Sequence, residues 1–163
     1  MEIRKAAIAD VPNIHKLVNH WAGRERMLAR ALSEIYENLR DFVVCEENGA
    51  IIACGALHII WSDLGEIKSL AVAQERVGSG VGRAVVEVCL TEARALGLQR
   101  VFALTYEPEF FEKCGFRRVS KDSLPQKIWS ECVRCPKFPD CDEVAVIYGN
   151  GASLAPETRG GGQ

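Results

Sequence analysis

Between a β-rich run, "IKSLAV", and an apolar run, "AVVEVCLTEARALG", the chain places "RVGSGVGR", with glycines at positions 78, 80 and 82. Glycine carries a large entropic cost on folding, so alternate glycines mark backbone that bends sharply or comes close to another group with no Cβ in the way. A strand, this loop, a helix to Gly97 and the next strand, "RVFALTY", form the central unit of a mixed sheet with helices on its faces. A ligand is expected at that unit.

The flanking pattern is consistent with one domain. The short strand "EIRKA" leads to Asp10, which reads as the N-cap of a helix through about Trp21, with Pro12 in its first turn. A second helix is expected near Ser33 to Leu39. "DFVVCEENGAIIACGALHIIW" holds two β-rich runs separated by Asn48-Gly49, the pair that supplies the positive φ angles of a tight hairpin. In "GEIKSLAV", Ile67, Ser69 and Ala71 alternate with Glu66, Lys68, Leu70 and Val72. The helix after the loop carries Val81, Ala84, Val85 and Val88 at helical spacing. A short helix "PEFFEKCG", a strand "FRRVS" and a closing strand "DEVAVIYG" follow. The expected order is β-α-α-β-β-β-α-β-α-β-β: an α/β (α+β) fold with a mixed, mostly antiparallel sheet of about six to seven strands.

At 163 residues and 48% hydrophobic content the chain suits one domain with a real core. That domain is expected over residues 1–148, with a cysteine-bearing segment at 122–141 inside it and a flexible, glycine-rich tail at 149–163. Twenty basic and 22 acidic side chains give a formal charge of -2, which speaks against nucleic acid and an anionic membrane as partners. The N-terminus has no apolar leader and no run is long enough to span a bilayer, so a cytoplasmic protein with small-molecule partners is expected. Seven cysteines without a secretory signal read as reduced thiols. A homodimer is left open.

Glycines ahead of a helix let phosphate oxygens approach bare amides at the positive end of the helix dipole, which makes a pyrophosphate the leading ligand class. "GSGVGR" lacks the Lys-Ser or Lys-Thr pair of a P-loop. Its G-x-G-x-G spacing also departs from the dinucleotide fingerprint. A turn that merely tightens a strand-to-helix corner is the structural alternative.

"IKSLAVAQERVGSGVGRAVVE", followed by "FFEKCGF", resembles the GNAT acetyltransferase superfamily, over about residues 1 to 148. The resemblance implies a loop that binds acetyl-CoA, here Val77, Gly78, Ser79, Gly80, Val81 and Gly82, with Arg83 adding a charge-assisted contact. It also implies that the pantetheine arm pairs with the backbone of the preceding strand, here Leu70, Ala71 and Val72. Val77 stands where the family prefers Gln or Arg, with Arg76 displaced by one, so amides are expected to carry most of the phosphate recognition.

Acetyl transfer needs a neutral amine and a means of stabilising an oxyanion. Deprotonating a lysine-like amine at neutral pH costs roughly 4 to 5 kcal/mol, so a base helps. Glu66 resembles the glutamate that serves as base in several members of the family; the alternative is a strand-edge carboxylate in solvent. Phe111 replaces the tyrosine that often protonates the leaving thiolate, which leaves Tyr106 or, preferred here, solvent. "GRERMLARALSEIYENLRDFVV", with Arg24, Arg26 and Arg30, is similar to the glutamate-binding region of N-acetylglutamate synthases, and other segments are similar to short, single-domain members of that group. The resemblance implies an acetyl-CoA-dependent N-acetyltransferase acting on L-glutamate at the entry to arginine synthesis, with Arg30 and Lys68 pairing the acceptor's carboxylates. A different amine or peptide N-terminus as acceptor, and a non-catalytic acyl-CoA-binding or thiol-sensing module, stand as alternatives.

Cys132, Cys135 and Cys141 include a C-x2-C half-site, but three local thiols fall short of the four ligands of a closed zinc site. No metal is expected, and a packed or redox-active thiol loop is the preferred reading. His15, His20 and His58 are out of metal-ligand register and read as structural. Trp21, Trp61 and Trp129 read as core or lid residues.

Overall fold

The computed structural model describes residues 1–23, 30–124 and 143–149. Along the chain lie β1 (Glu2–Lys5), α1 (Val11–Ala22), α2 (Leu32–Glu37), β2 (Phe42–Glu47), β3 (Ala50–Trp61), β4 (Leu64–Val72), α3 (Val81–Leu96), β5 (Arg100–Thr105), α4 (Pro108–Lys113), β6 (Arg117–Val119) and β7 (Val144–Gly149). This is the element order expected from the sequence. Short 3-10 turns at Ile8–Asp10, Leu39–Asp41 and Gln74–Arg76 precede α1, β2 and the glycine loop. The chain divides into two compact units, the first Met1–Val101 and the second from Phe102 onward.

In the first unit β1, β2, β3 and β4 pair in sequence order, all antiparallel. The β2–β3 hairpin turns on Asn48 (φ 53°) and Gly49 (φ 79°), the left-handed pair that a two-residue turn of matching twist requires. One face of this sheet is covered by α1 and α2. Val11, Ile14 and Val18, at helical spacing on α1, join Ile35 of α2 against Phe42, Val44, Cys54, Ala56 and Ala71. Side chains alternate across a strand, so Gly55, between Cys54 and Ala56, presents the opposite face. There α3 packs so tightly that a Cβ on Gly55 would lie 2.9 Å from Val85 Cγ1.

The buried stripe of α3 runs through Val81, Val85, Val86, Cys89, Leu90 and Ala93. Ala84 and Val88, expected on the stripe, lie half-buried at its border. The helix ends on Gly97 at φ 89°, with Leu98 N–H donating to the Ala93 carbonyl at 2.9 Å, a left-handed cap that only glycine adopts without strain.

Asp10 departs from its expected role. It borders α1, but its carboxylate makes no cap bond to that helix. It accepts instead from Arg4 Nη1 (2.7 Å), Arg4 Nη2 (3.1 Å) and the Ala7 amide (2.7 Å). A guanidinium from β1 outcompetes the local amides because a bidentate, charge-assisted pair is the stronger bond.

In the second unit β5, β7 and β6 lie in that order, with β6 and β7 antiparallel. Phe111 of α4 is buried between Phe110 and Phe116, and Phe116 meets Tyr148 of β7 at a ring separation of 5.4 Å. Cys45, Cys54, Cys89 and Cys114 are buried and form no disulfide among the described residues. Burial pushes the Cys54 and Cys89 thiols up to about 12, so they serve as packing atoms and not as nucleophiles. Cys132, Cys135, Cys141, Trp129, Arg24, Arg26 and residues 150–163 of the expected tail lie outside the described residues, while Gly149 ends β7.

Candidate active site

Strand β4 is not regular. Cys54 of β3 faces Ala71, but two residues on, Ala56 faces Lys68, so Ser69 and Leu70 together oppose Gly55. This bulge puts Ser69 at φ 56°, a left-handed conformation uncommon outside glycine. Such strain persists only where the surroundings over-determine it, and it concentrates at functional sites. Nothing in the sequence flags it, since serine is a poor marker of a bulge. Beyond the bulge, Leu70 and Val72 are half-buried and Ala71 buried.

The bulge also allows Lys68 and Ala71 to share the face covered by α1 and α2, although three positions separate them. Glu66 lies two residues from Lys68 on that face, and its cross-strand partner is His58. Glu66 is only 8% exposed, which removes the reading of a solvated edge carboxylate and breaks the simple in-out alternation expected of the strand. Thus the fold brings Glu66, Lys68 and His58 to one face. His58 is held at Nδ1 by Asp41 Oδ2, 2.7 Å away. This hydrogen bond, aided by the negative charges of Asp41 and Glu66, raises the imidazole's affinity for its proton against the opposing effects of burial and Lys68. The pair joins residues 17 apart with no local motif, so sequence reasoning missed it.

Arg30 sits half-buried on the connection between α1 and α2, the helices that cover this face. Its main chain is gripped by Asn19 of α1: the Arg30 amide donates to Asn19 Oδ1 at 3.1 Å, and Asn19 Nδ2 donates to the Arg30 carbonyl at 3.3 Å. Its guanidinium makes no ion pair among the described residues. Trp21, two residues after Asn19, donates its indole N–H to the Val72 carbonyl at 2.8 Å, tying the end of α1 to the end of β4. By contrast Trp61, expected in a core or lid, is 65% exposed.

After β4 the glycine loop is exposed from Val77 to Gly80, while Val81 and Gly82 are buried at the start of α3. Gly78 (φ 83°) and Gly80 (φ 92°) both require a left-handed backbone, and a Cβ at either would meet nothing within 4 Å. The amides of Val77 and Ser79 are used inside the loop, donating to Gln74 and Arg76 carbonyls at 3.3 and 3.1 Å. Those of Gly78, Gly80, Val81, Gly82 and Arg83 bond to no acceptor among the described residues. Arg76 pairs with Glu47 of β2, so it braces the loop. Arg83 is exposed, and its 3.8 Å contact with Glu87 is a weak surface pair that leaves the guanidinium available.

Phe111 cannot donate a proton and is buried among aromatic rings. The hydroxyl oxygen of Tyr106 is shielded from solvent. No cluster of three or more metal-ligating side chains occurs among the described residues, and no described helix is long and apolar enough to cross a membrane.

A bulged β4 running into an open glycine loop at the head of a long helix, on a mostly antiparallel sheet, defines an acyltransferase of the α/β type. The chain belongs to the Acetyltransferase (GNAT) family, whose model matches residues 10–116. It is 42% identical over 135 residues to an amino-acid acetyltransferase of Mycobacterium tuberculosis, covering 81% of this chain and 77% of that one. It is 38% identical over 145 residues to an uncharacterized N-acetyltransferase of Chlorobaculum tepidum, covering 89% and 94%. Among solved structures, the N-acetylglutamate synthase of Neisseria gonorrhoeae complexed with coenzyme A and N-acetyl-glutamate superposes with a TM-score of 0.84 at 26% identity. That match covers 91% of this chain and 34% of the longer enzyme.

Proposed function

We propose that this chain transfers the acetyl group of acetyl-CoA to the α-amine of L-glutamate, the reaction that opens arginine synthesis. The observation that carries the reading is the buried Glu66 beside Lys68, on the sheet face covered by the helices that bracket Arg30. A buried carboxylate next to cationic side chains suits a ligand that brings an ammonium group together with carboxylates. The kinship to an amino-acid acetyltransferase and to an N-acetylglutamate synthase supports the same substrate class.

In this reading the amides of Gly78, Gly80, Val81, Gly82 and Arg83 hold the pyrophosphate of coenzyme A. They fit it because they are bare, and because Gly78 and Gly80 leave open space where a side chain would intrude. Val77 and Ser79 shape the loop with their own amides already engaged, and Arg83 adds charge from the helix. The backbone of Leu70, Ala71 and Val72, thrown out of register by the bulge, aligns the pantetheine arm. Arg30 and Lys68 each pair with an acceptor carboxylate, a charge-assisted bond contributing about 1.5 to 3 kcal/mol. Glu66 takes one ammonium proton, the freed nitrogen lone pair attacks the acetyl carbonyl, and the second nitrogen proton goes to water as the C–S bond breaks. Solvent protonates the departing thiolate, since Phe111 cannot.

A thiol-release assay with purified protein and acetyl-CoA, run across all amino acids, polyamines and short peptides, tests the assignment. L-glutamate is expected to give the highest kcat/KM. Faster turnover of aspartate, a polyamine or a peptide would overturn the acceptor while leaving the family unaffected.

A further inference from the structure

The Asp41–His58 pair has no part in the roles assigned above. Asp41 ends the 3-10 turn ahead of β2, and its carboxylate fixes His58 Nδ1 at 2.7 Å. His58 lies directly across the β3–β4 ladder from Glu66, so the two side chains leave the same face. Cβ atoms so paired are about 4.5 to 5.5 Å apart. The charged groups facing the imidazole are Asp41 from the turn and Glu66 and Lys68 from β4. Two of the three are carboxylates, and Asp41 is in direct contact. A carboxylate as buried as Glu66 is costly to keep ionised unless a cation stands beside it.

We propose that His58, fixed by Asp41, is a positioning residue for Glu66, its imidazolium holding the buried carboxylate ionised and aimed at the acceptor's ammonium group. The proposal rests on the reading of Glu66 as the base. In the step it serves, an N–H bond of the ammonium breaks, an O–H bond forms on Glu66, and the nitrogen keeps the electron pair. The proton on Glu66 then passes to water, and His58 retains its own proton throughout. Lys68 is left to the acceptor carboxylate, so the two cations beside Glu66 have separate duties.

The test is the pH dependence of kcat with L-glutamate and saturating acetyl-CoA for the intact protein and for His58→Gln, Asp41→Asn and Glu66→Gln, with melting curves for each. Glutamine at position 58 still donates to Asp41 but carries no charge. With His58→Gln, the acid limb of the profile is expected to move up by about one pH unit, so that kcat falls roughly tenfold on that limb and by less at neutral pH. The KM of acetyl-CoA is expected to stay within about twofold, because its amide cradle is untouched. Asp41→Asn, which loosens the imidazole without removing it, is expected to move the limb the same way by less. It is the deciding variant if His58→Gln fails to fold.

An unmoved acid limb in the folded variants, with Glu66→Gln inactive, overturns the role of His58 and leaves that of Glu66 standing. A Glu66→Gln enzyme as fast as the parent removes the base itself, and the role of His58 with it.

Discussion

Asn19 holds the main chain of Arg30 at both its polar groups, accepting from the amide at 3.1 Å and donating to the carbonyl at 3.3 Å. A side-chain amide carries a donor and an acceptor on one planar group, so it can do both at once. The clamp fixes where the α1–α2 connection re-enters the fold, and so where the Arg30 guanidinium starts. Each bond contributes about 0.5 to 1.5 kcal/mol, so Asn19→Ala is expected to raise the KM for glutamate about tenfold with little change in the KM for acetyl-CoA. Asn19→Asp, which keeps the acceptor and loses the donor, should fall between. Initial rates with each substrate varied in turn distinguish this from a general loss of folding, in which both constants or the melting temperature would move together.

Gly80 begins α3 in a left-handed conformation, with open space where a Cβ would stand. Gly80→Ala therefore meets no steric neighbour, and its folding cost of about 1 to 2 kcal/mol is a backbone cost. For a chain of this size that corresponds to a melting temperature lower by about 2 to 8 °C. The new methyl group occupies the space in front of the bare amides, so the KM for acetyl-CoA is expected to rise by an order of magnitude or more, about 1.4 kcal/mol per tenfold. Calorimetric melting and titration with coenzyme A read the two effects separately. A variant that binds coenzyme A as well as the parent would remove the loop from the site.

What the sequence made legible was local. The hairpin at Asn48-Gly49 and the loop of Gly78 and Gly80 each declare a backbone conformation through residue type alone, and both formed where expected. The α3 stripe was displaced because Ala84 and Val88 are apolar yet lie at its border, and hydrophobicity does not say which flank of a helix faces the sheet. The remainder depends on pairing between distant segments. Ser69 is left-handed because of the register β4 adopts on β3, and Glu66 is buried although its residue type favours solvent. Asp10 is the residue type an N-cap prefers, but Arg4 reached its carboxylate first. Propensity describes an end of a helix, and tertiary contact decides which partner that end receives.

The contact between Gly55 and α3 is a matter of packing alone. An alanine there puts its methyl carbon 2.9 Å from Val85 Cγ1 and 3.3 Å from Leu70 Cδ1. Val85 is fully buried and stiff at χ1, so it cannot swing aside. Gly55→Ala is expected to destabilise the protein by about 1 to 3 kcal/mol. Adding Val85→Ala should recover part of that loss, because the second change removes the clashing methyl. Urea unfolding of the two single variants and the double gives the coupling directly. Strict additivity would mean that α3 shifts as a body to make room.

The Arg4–Asp10 pair sets an acid limit on stability. The Arg4 guanidinium holds the Asp10 carboxyl below the usual carboxylate range, with the Ala7 amide assisting and burial opposing. Arg4 is itself fixed from the other side by Glu46, which accepts from Nε at 3.0 Å and Nη2 at 2.9 Å. A carboxyl whose folded pKa lies below its unfolded value, near 3.9, contributes stability that is complete above that value. The contribution is lost as pH falls through the folded pKa. Asp10→Asn keeps the shape and removes the charge, and at pH 7 is expected to cost about 1.5 to 3 kcal/mol, the range of a hydrogen bond to a charged group. Below pH about 4 the difference between parent and variant should shrink, because the parent's carboxyl then gains a proton as well. Urea midpoints for both proteins at pH 7, 4 and 3 test this. A difference that stays constant across the three would show that Asp10 stabilises the turn through shape and not through charge.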